Sequence, residues 1–157
     1  MDDLSNSDLP RILEKISRYC AYQERCRQDV AEKLGEWKVP DSLTGEVFRE
    51  LESRKFLDEA RFAKLFAVSK FNHNKWGRVR IRYELRGRHI PESLIREALQ
   101  ETGEDHYRAV IRELVLKKYR EIKKEKALNI REKIIKFVTG KGFEPELVAG
   151  AIKELKI

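Results

Sequence analysis

A fifteen-residue stretch in the middle of the chain, WGRVRIRYELRGRHI (76–90), is rich in arginine. Between Arg78 and Arg88, five arginines stand against one glutamate. Arginines and apolar residues alternate from Arg78 to Leu85, a pattern typical of a β-strand with one exposed face. Like charges this close repel one another, so the segment predicts contact with an anion.

The remaining chemistry-bearing residues give little support for catalysis. The three histidines, His73, His89 and His106, lack a spacing that would place two of them on one helix face. The sequence has no glycine-rich phosphate loop, no nucleophile elbow and no cysteine pair at zinc spacing. Arg25 and Arg27 flank Cys26 and would favour its thiolate. A semi-buried structural cysteine is the favoured alternative, so we expect no enzyme, no metal and no cofactor.

Composition and charge indicate a helical protein with an uneven surface. Charged residues make up 39% of the chain, while glycine (8) and proline (4) are scarce, which favours helix. The net charge is −3 for residues 1–58, +3 for 59–105 and +7 for 106–157. The basic regions suit nucleic acid, an anionic membrane or an acidic protein, and charge alone does not choose among them.

The cellular setting is predicted from the cysteines and from the absence of long apolar runs. Cys20 and Cys26 lack ligand-spaced partners and are expected to be reduced thiols. The acidic N-terminus, Met1 to Ser5, has no apolar segment of the signal-peptide kind. No apolar run approaches the length of a membrane span. We therefore expect a cytoplasmic protein without contact with membrane. Our further expectation is a monomer.

The chain contains three copies of one pattern. Apolar residues stand 9 and 5 positions before, and 4, 8 and 9 positions after, each of the anchors Val39, Ile90 and Phe143, which are 51 and 53 residues apart. The matched positions are Val30, Leu34, Leu43, Val47 and Phe48; Ile81, Leu85, Leu94, Ala98 and Leu99; and Ile134, Val138, Leu147, Ala151 and Ile152. This agreement predicts an internal structural repeat.

The repeat favours a helix for the arginine-rich segment. Its counterpart in the third copy has apolar residues at 134, 135, 137 and 138, a helical pattern without alternation. If the copies share a fold, 78–88 is a helix with Ile81 and Leu85 facing the core. It should end near His89, whose counterpart Gly142 suits a left-handed C-terminal residue. Pro91 should then open the next helix.

The predicted fold is therefore all-α, with three tandem three-helix repeats forming an elongated, curved array. We place the repeats at 1–58, which carries the acidic N-terminal segment, at 59–105 with the basic helix, and at 106–157. The first helix of each copy is expected at about 11–24, 59–71 and 106–128. Each small bundle buries little apolar surface alone and should pack against its neighbours.

On a helix the arginines form a stripe. Arg78, Arg82 and Arg86 stand at i, i+4 and i+8, with Lys75 just before them. Each like-charge pair costs roughly 0.2–0.5 kcal/mol in an isolated helix, and phosphates would remove that cost. The alternative is that the stripe binds acidic residues of its own neighbouring units. Candidates for that role are Glu92, Glu97 and Glu101.

A second basic stretch, LKKYREIKKEKA (116–127), carries six cations and two acids. The cations are Lys117, Lys118, Arg120, Lys123, Lys124 and Lys126. They cannot all lie on one face, so the helix is basic nearly all round. Anion binding and an ordinary solvated helix with Glu–Lys support remain equally open for it.

The segments FLDEARFAKLFAVSKF and WGRVRIRYELRGRHI strongly resemble the RecX family of recombination regulators. The shared pattern is an acidic pair, an Arg-Phe-Ala triplet, and then a helix with an Arg-Ile and a Glu-Leu pair. It appears here at Asp58-Glu59, Arg61-Phe62-Ala63, Gly77, Arg80-Ile81, Glu84-Leu85 and Arg88-His89-Ile90. The resemblance extends over about 10–157. It departs from the family pattern at His89, where the family prefers glycine.

The resemblance implies a protein without enzymatic activity, built from three helical repeats, that binds the RecA recombinase filament on DNA. It would limit RecA polymerisation, ATP hydrolysis, strand exchange and co-protease function. The family motifs mainly determine the fold, so the predicted contacts with RecA or DNA phosphates rest on charge. They are Lys75, Arg78, Arg80, Arg82, Arg86, Arg88, Lys117, Lys118, Arg120, Lys123, Lys124 and Lys126.

The alternative function is a free-standing helical-repeat DNA-binding protein or transcriptional regulator. Its recognition helix should mix Asn, Gln and Arg directed at base edges. The basic helix at 78–88 has arginine without Asn or Gln, which suits contact with the DNA backbone better.

Overall fold

The computed structural model describes residues 4–157, and over that range it contains nine α-helices and no β-strand. The predicted acidic N-terminal segment includes Met1 to Asp3, which lie outside the described residues. The helices follow a short 3₁₀ turn at Asn6–Asp8. They are α1 (Leu9–Tyr22), α2 (Arg27–Glu36), α3 (Asp41–Ser53), α4 (Glu59–Asn74), α5 (Arg78–Gly87), α6 (Glu92–Gln100), α7 (Glu104–Lys124), α8 (Ile130–Gly140) and α9 (Pro145–Glu154).

The arginine-rich segment is a helix, as the repeat predicted, and the strand suggested by its alternation is wrong. It forms α5, with Gly77 at the N-cap. Ile81 and Leu85 are 2% and 0% exposed and lie four residues apart, on the face that packs into the core. The arginines alternate with apolar residues because some of those apolar residues, such as Val79, point to solvent.

The second helix of each copy ends in a residue with left-handed backbone. His89 has φ 60°, and its counterparts Lys38 and Gly142 have φ 56° and 98°. After α5 the N–H of Ile90 donates to the Leu85 carbonyl at 3.1 Å, which satisfies a carbonyl at the helix end. The sharp turn returns the chain to the core, where the anchor residue is buried.

The predicted bounds of the first helices need correction. α1 begins at Leu9 because Pro10 fits the first turn of a helix, and it ends before the extended Gln23. α4 continues to Asn74 and ends at the left-handed Lys75. α7 runs from Glu104 to Lys124 rather than 106–128, so the predicted boundary at 105/106 cuts its first turn.

The helices pack into two hydrophobic cores. We call α1–α3 unit 1, α4–α6 unit 2 and α7–α9 unit 3. Unit 1 has a core of its own around Ile16, Val47 and Leu51. A second core is continuous through units 2 and 3 and also takes in Cys26 from the start of α2. All but three of the eighteen repeat positions are buried; the partly exposed ones are Phe48, Leu94 and Leu147.

Units 2 and 3 meet through backbone contacts, at what we call the second joint (residues 77–80 against 141–144). The Gly77 N–H donates to the Lys141 carbonyl at 2.8 Å, and the Val79 N–H donates to the Gly142 carbonyl at 3.0 Å. A Cβ on Gly77 would overlap the Gly142 backbone, and a Cβ on Gly142 would overlap Arg80. The joint therefore requires glycine on both sides.

A buried tyrosine reinforces the second joint. The Tyr107 hydroxyl accepts the Arg78 N–H at 3.0 Å and donates to Glu144 Oε1 at 3.0 Å. Its ring packs against Phe71 and Phe143. Burial raises the pKa of Tyr107, so the hydroxyl stays protonated and keeps its donor role. One side chain thus satisfies the first N–H of α5 and a carboxylate at the start of α9.

Units 1 and 2 meet differently, at what we call the first joint (residues 24–29 against 59–63 and 88). Arg61 Nε lies 2.7 Å from Glu24 Oε1, and the Arg27 N–H donates to Glu59 at 3.2 Å. Over residues 4–157 no hydrogen bond between two backbone groups crosses this joint. Side chains and the buried Cys26 hold it together.

The expectation of an all-helical repeat array is confirmed. The predicted division at residues 58 and 105 remains a prediction, and we propose the three helix triplets as the corresponding units.

The close contact at the second joint predicts that alanine destabilises the protein at Gly142 but not at a glycine with open space around it. Gly142→Ala adds a methyl group where the backbone of α5 lies and places a side chain at φ 98°, so we expect a loss of about 1–3 kcal/mol in the free energy of unfolding. Gly150→Ala, within α9 and with open space around it, should instead add about 0.5–1 kcal/mol. Urea unfolding followed by circular dichroism measures both. Equal stability of the Gly142 variant and the wild type would contradict the packing described.

The two hydrogen bonds of the Tyr107 hydroxyl predict a difference in stability between two Tyr→Phe variants. Tyr107→Phe leaves the Arg78 N–H and the Glu144 carboxylate without this partner, and should lower the free energy of unfolding by about 1–3 kcal/mol. Tyr83→Phe removes an exposed hydroxyl and should change it by less than about 0.5 kcal/mol. If the two variants prove equally stable in the same urea titration, the bridge makes no net contribution.

Candidate anion-binding surface

Four of the five arginines at the centre of the sequence prediction have carboxylate partners inside the molecule. Arg78 binds Glu104 at 2.7 Å. Arg82 and Arg86 share Glu92, with Arg86 Nε 3.1 Å from Oε2. Glu92 is one of the internal partners that the sequence offered as an alternative to an external anion. The predicted stripe on α5 is therefore largely neutralised within units 2 and 3.

The two remaining arginines, Arg88 and Arg80, differ from each other in whether they have a carboxylate partner. Arg88 lies 3.6 Å from Asp29 of α2, across the first joint, and its guanidinium stands 5.3 Å from the ring centre of Phe66. Arg80 forms no salt bridge with any carboxylate in the described part of the chain. Its guanidinium stacks 4.1 Å above the Trp76 ring. Arg80 is thus the arginine of α5 whose charge remains available.

Two residues next to these arginines, Glu104 and Lys75, also have defined structural roles. The hydrogen bond from Arg78 lowers the pKa of Glu104, which stays ionised at the start of α7 where a negative charge is favoured. Lys75, the first of the predicted contacts, is the left-handed residue that ends α4, and its N–H donates to the Phe71 carbonyl at 3.1 Å. Its backbone role makes it a structural residue as well as a cation.

The outer face of α5 also carries apolar residues that the sequence analysis missed. Val79 and Tyr83 are 53% and 75% exposed and stand four residues apart. They lie on the face opposite Ile81 and Leu85. If the segment is taken as a helix, the i, i+4 spacing of Val79 and Tyr83 predicts that they share one face. The alternation with arginine suggests a strand instead, and in that interpretation the shared helix face is not visible.

The cations of the second basic stretch lie on α7 and just beyond it. Within residues 4–157 most of them form no salt bridge, and all of that group are exposed. This group comprises Lys117, Arg120, Lys123, Lys124 and Lys126. Lys118 is the exception, 3.5 Å from Glu121 and 4.7 Å from the ring centre of Phe137.

Three of these cations form a stripe along α7. Lys117, Arg120 and Lys124 follow the i, i+3, i+7 spacing of one helix face and span about 10 Å. Ile122, which is buried, lies on the opposite side. Each like-charge pair in the stripe is unfavourable by roughly 0.2–0.5 kcal/mol. Glu121 also lies near this face, but among residues 4–157 it forms its salt bridge with Lys118. The stripe of cations without a salt bridge that the sequence placed on α5 thus lies on α7.

The two thiols do not have the features of a nucleophile. Cys20 and Cys26 are free and buried. Burial raises the pKa of Cys20 to about 11 and also raises that of Cys26, against the effect of nearby arginines. A raised pKa leaves little thiolate at neutral pH. Cys26 caps α2 and contributes to the core of unit 2.

The described residues offer neither a metal site nor a membrane span. No cluster of three or more His, Cys, Asp or Glu side chains suited to a metal occurs in residues 4–157. Within the same range no helix combines the length and the apolar character needed to cross a bilayer.

Comparison with known proteins identifies relatives of the whole chain. Residues 58–99 match the family model described as RecX, second three-helix domain. The regulatory protein RecX of Bacillus cytotoxicus is 27% identical over 98% of this chain. This chain spans 57% of the length of that relative. The regulatory protein RecX of Prosthecochloris aestuarii is also 27% identical, over 97% of this chain and 98% of its own length.

A solved structure shares the fold. The crystal structure of RecX from Lactobacillus salivarius superposes with a TM-score of 0.88 over 97% of this chain and 99% of its own, at 20% sequence identity. That identity supports the helical-repeat fold alone. The family model at unit 2 and the curated relatives along the chain show that this chain is similar to the regulatory proteins named RecX, with the family's second three-helix domain at residues 58–99.

Proposed function

We propose that this protein binds the RecA recombinase filament on DNA and restrains its polymerisation, ATP hydrolysis, strand exchange and co-protease activity. Similarity to the regulatory proteins named RecX supports this role, because the family resemblance implies regulation of RecA. The protein acts by binding rather than by catalysis, and it does so in the cytoplasm.

The observation that carries the proposal is the stripe of Lys117, Arg120 and Lys124. These cations lie exposed on one face of α7 and form no salt bridge within the described range. A DNA backbone or an acidic filament wall would neutralise them, and each neutralised phosphate releases a counterion. The arginines of α5 contribute less to binding, because folding already supplies most of them with a carboxylate.

The uneven charge of the chain suits a nucleoprotein partner. Residues 1–58 carry a net charge of −3, whereas residues 106–157 carry +7. The acidic end fits basic protein surface, and the basic end fits phosphates or acidic protein surface. A free-standing DNA-binding protein would use the basic end alone, and so would not require RecA.

A matched pair of triple variants tests the proposal. Lys117→Gln, Arg120→Gln and Lys124→Gln together remove three charges from α7. We expect inhibition of the DNA-dependent ATPase of RecA to weaken at least about tenfold, because three phosphate contacts are lost. For the same reason, the log–log slope of binding against salt concentration should become less steep by roughly 2–3. The helical circular dichroism should not change, because these side chains are exposed.

The control variant removes the same number of charges from unit 1. Arg11, Arg18 and Arg49 are exposed on α1 and α3, and their replacement by glutamine should leave inhibition within about twofold of wild type. Equal inhibition by both triple variants would remove α7 from the interface. A wild-type protein that binds DNA alone with high affinity and leaves RecA unaffected would support the free-standing DNA-binding function instead.

A further inference from the structure

The repeat brings equivalent residues to the two joints, and their charges differ. Ten residues before the anchor stand Asp29 in the first copy and Arg80 in the second. Two residues before the following anchor stand Arg88 and Lys141. At the first joint Asp29 and Arg88 form an ion pair at 3.6 Å. At the second joint the equivalent positions hold two cations.

Folding brings the backbone segments that carry the two cations of the second joint into direct contact. A Cβ placed on Gly142 would overlap Arg80, so the backbone that carries Lys141 abuts the start of α5. The hydrogen bond from Val79 to Gly142 fixes this approach at 3.0 Å. Neither cation has a salt-bridge partner among residues 4–157. Two cations without an internal partner are therefore carried by one close backbone contact.

The surroundings of the second joint are also more basic than those of the first. A groove at the first joint is lined from α2 by Gln28, Asp29 and Glu32, and from α5 by Tyr83, Glu84, Arg86, Gly87 and Arg88. By the repeat spacing, the equivalent residues of units 2 and 3 are Val79, Arg80 and Tyr83 on α5, Lys136, Phe137, Thr139 and Gly140 on α8, and Lys141 just after it. Three carboxylates and two arginines at the first joint thus become three cations and no carboxylate.

Aromatic rings accompany these cations. The Arg80 guanidinium lies 4.1 Å above the Trp76 ring, and Lys141 Nζ lies 5.6 Å from the ring centre of Phe137. Tyr83 is 75% exposed on the same outer face of α5 as Val79. Cations that follow a backbone beside an exposed ring are the elements of single-stranded nucleic acid sites, where phosphates pair with the cations and a base stacks on the ring.

We propose that Arg80 and Lys141 at the second joint, with the neighbouring repeat positions Lys136 on α8 and Tyr83 on α5, form the part of the surface that binds a single strand of nucleic acid. This inference rests on the proposed function in taking the partner to be a nucleoprotein, and adds which side chains receive the strand. An acidic peptide would use the cations equally well but would gain little from an exposed tyrosine ring, so the strand is the better fit.

The decisive variant gives the second joint the charges of the first. Arg80→Asp places a carboxylate opposite Lys141, as Asp29 stands opposite Arg88, at the third position of α5, where a carboxylate favours the helix. We expect the melting temperature to stay at or above that of wild type. The affinity for a fluorescein-labelled oligothymidylate of about twenty nucleotides should fall at least about tenfold, measured by anisotropy. The log–log salt slope should also fall by about 0.7.

Arg96→Asp is the control with the same change in net charge, because Arg96 is exposed on α6, outside the second joint. It should keep its affinity within about twofold of wild type. Tyr83→Ala should weaken binding about fivefold or more without a change in salt slope, because it removes stacking rather than charge. Unchanged affinity in the Arg80 variant, equal losses in the two charge variants, or wild-type preference for polyglutamate over the oligonucleotide would each overturn the inference.

Parallel assays on RecA separate this inference from the proposed function. Loss of oligonucleotide binding in Arg80→Asp, with RecA inhibition retained, supports the strand site and leaves the regulatory function intact. A wild-type protein that binds the oligonucleotide through Arg80 but never inhibits RecA supports the strand site and contradicts the regulatory function. A protein that inhibits RecA but whose Arg80 variant binds the oligonucleotide normally overturns the strand site alone.

Discussion

The close approach of Gly77 and Gly142 is the constraint on which the arrangement of units 2 and 3 depends. It lets the start of α5 bond backbone to backbone with the turn before α9. The same approach brings Tyr107 into reach of Arg78 and merges two small bundles into one core. A three-helix unit of this size buries too little apolar surface to be very stable alone, so the shared core adds stability that neither unit has.

The second consequence of this contact is electrostatic. Folding sorts the basic residues into those with an internal partner and those without. Arg78 and Arg82 are held by carboxylates of α7 and α6, so they stabilise the packing of helices. Arg80, Lys141 and the stripe on α7 have no such partner within the described residues. The available positive charge therefore extends from the second joint into unit 3, which is also the more basic part of the sequence.

The helices and the core could be predicted from the sequence, because the apolar pattern occurs in three copies. The repeat indicated a helix around Ile81, where the local alternation alone suggested a strand. It also located the turn at His89 through its counterpart Gly142. It could not sort the arginines, because Arg82 and Glu92 are brought together by the turn between α5 and α6 rather than by spacing on one helix. Tyr83 was missed for a related reason: exposure depends on which helix face the neighbouring units cover.

The two joints also differ in how freely their sequences can change. At the first joint the partners are side chains, so Asp29 and Arg88, or Glu24 and Arg61, can be exchanged in pairs while the contact survives. At the second joint the partners are backbone groups, and a mutation at Gly77 or Gly142 has no second mutation that restores the space. We therefore expect paired substitutions to be tolerated at the first joint more readily than any substitution of these two glycines at the second.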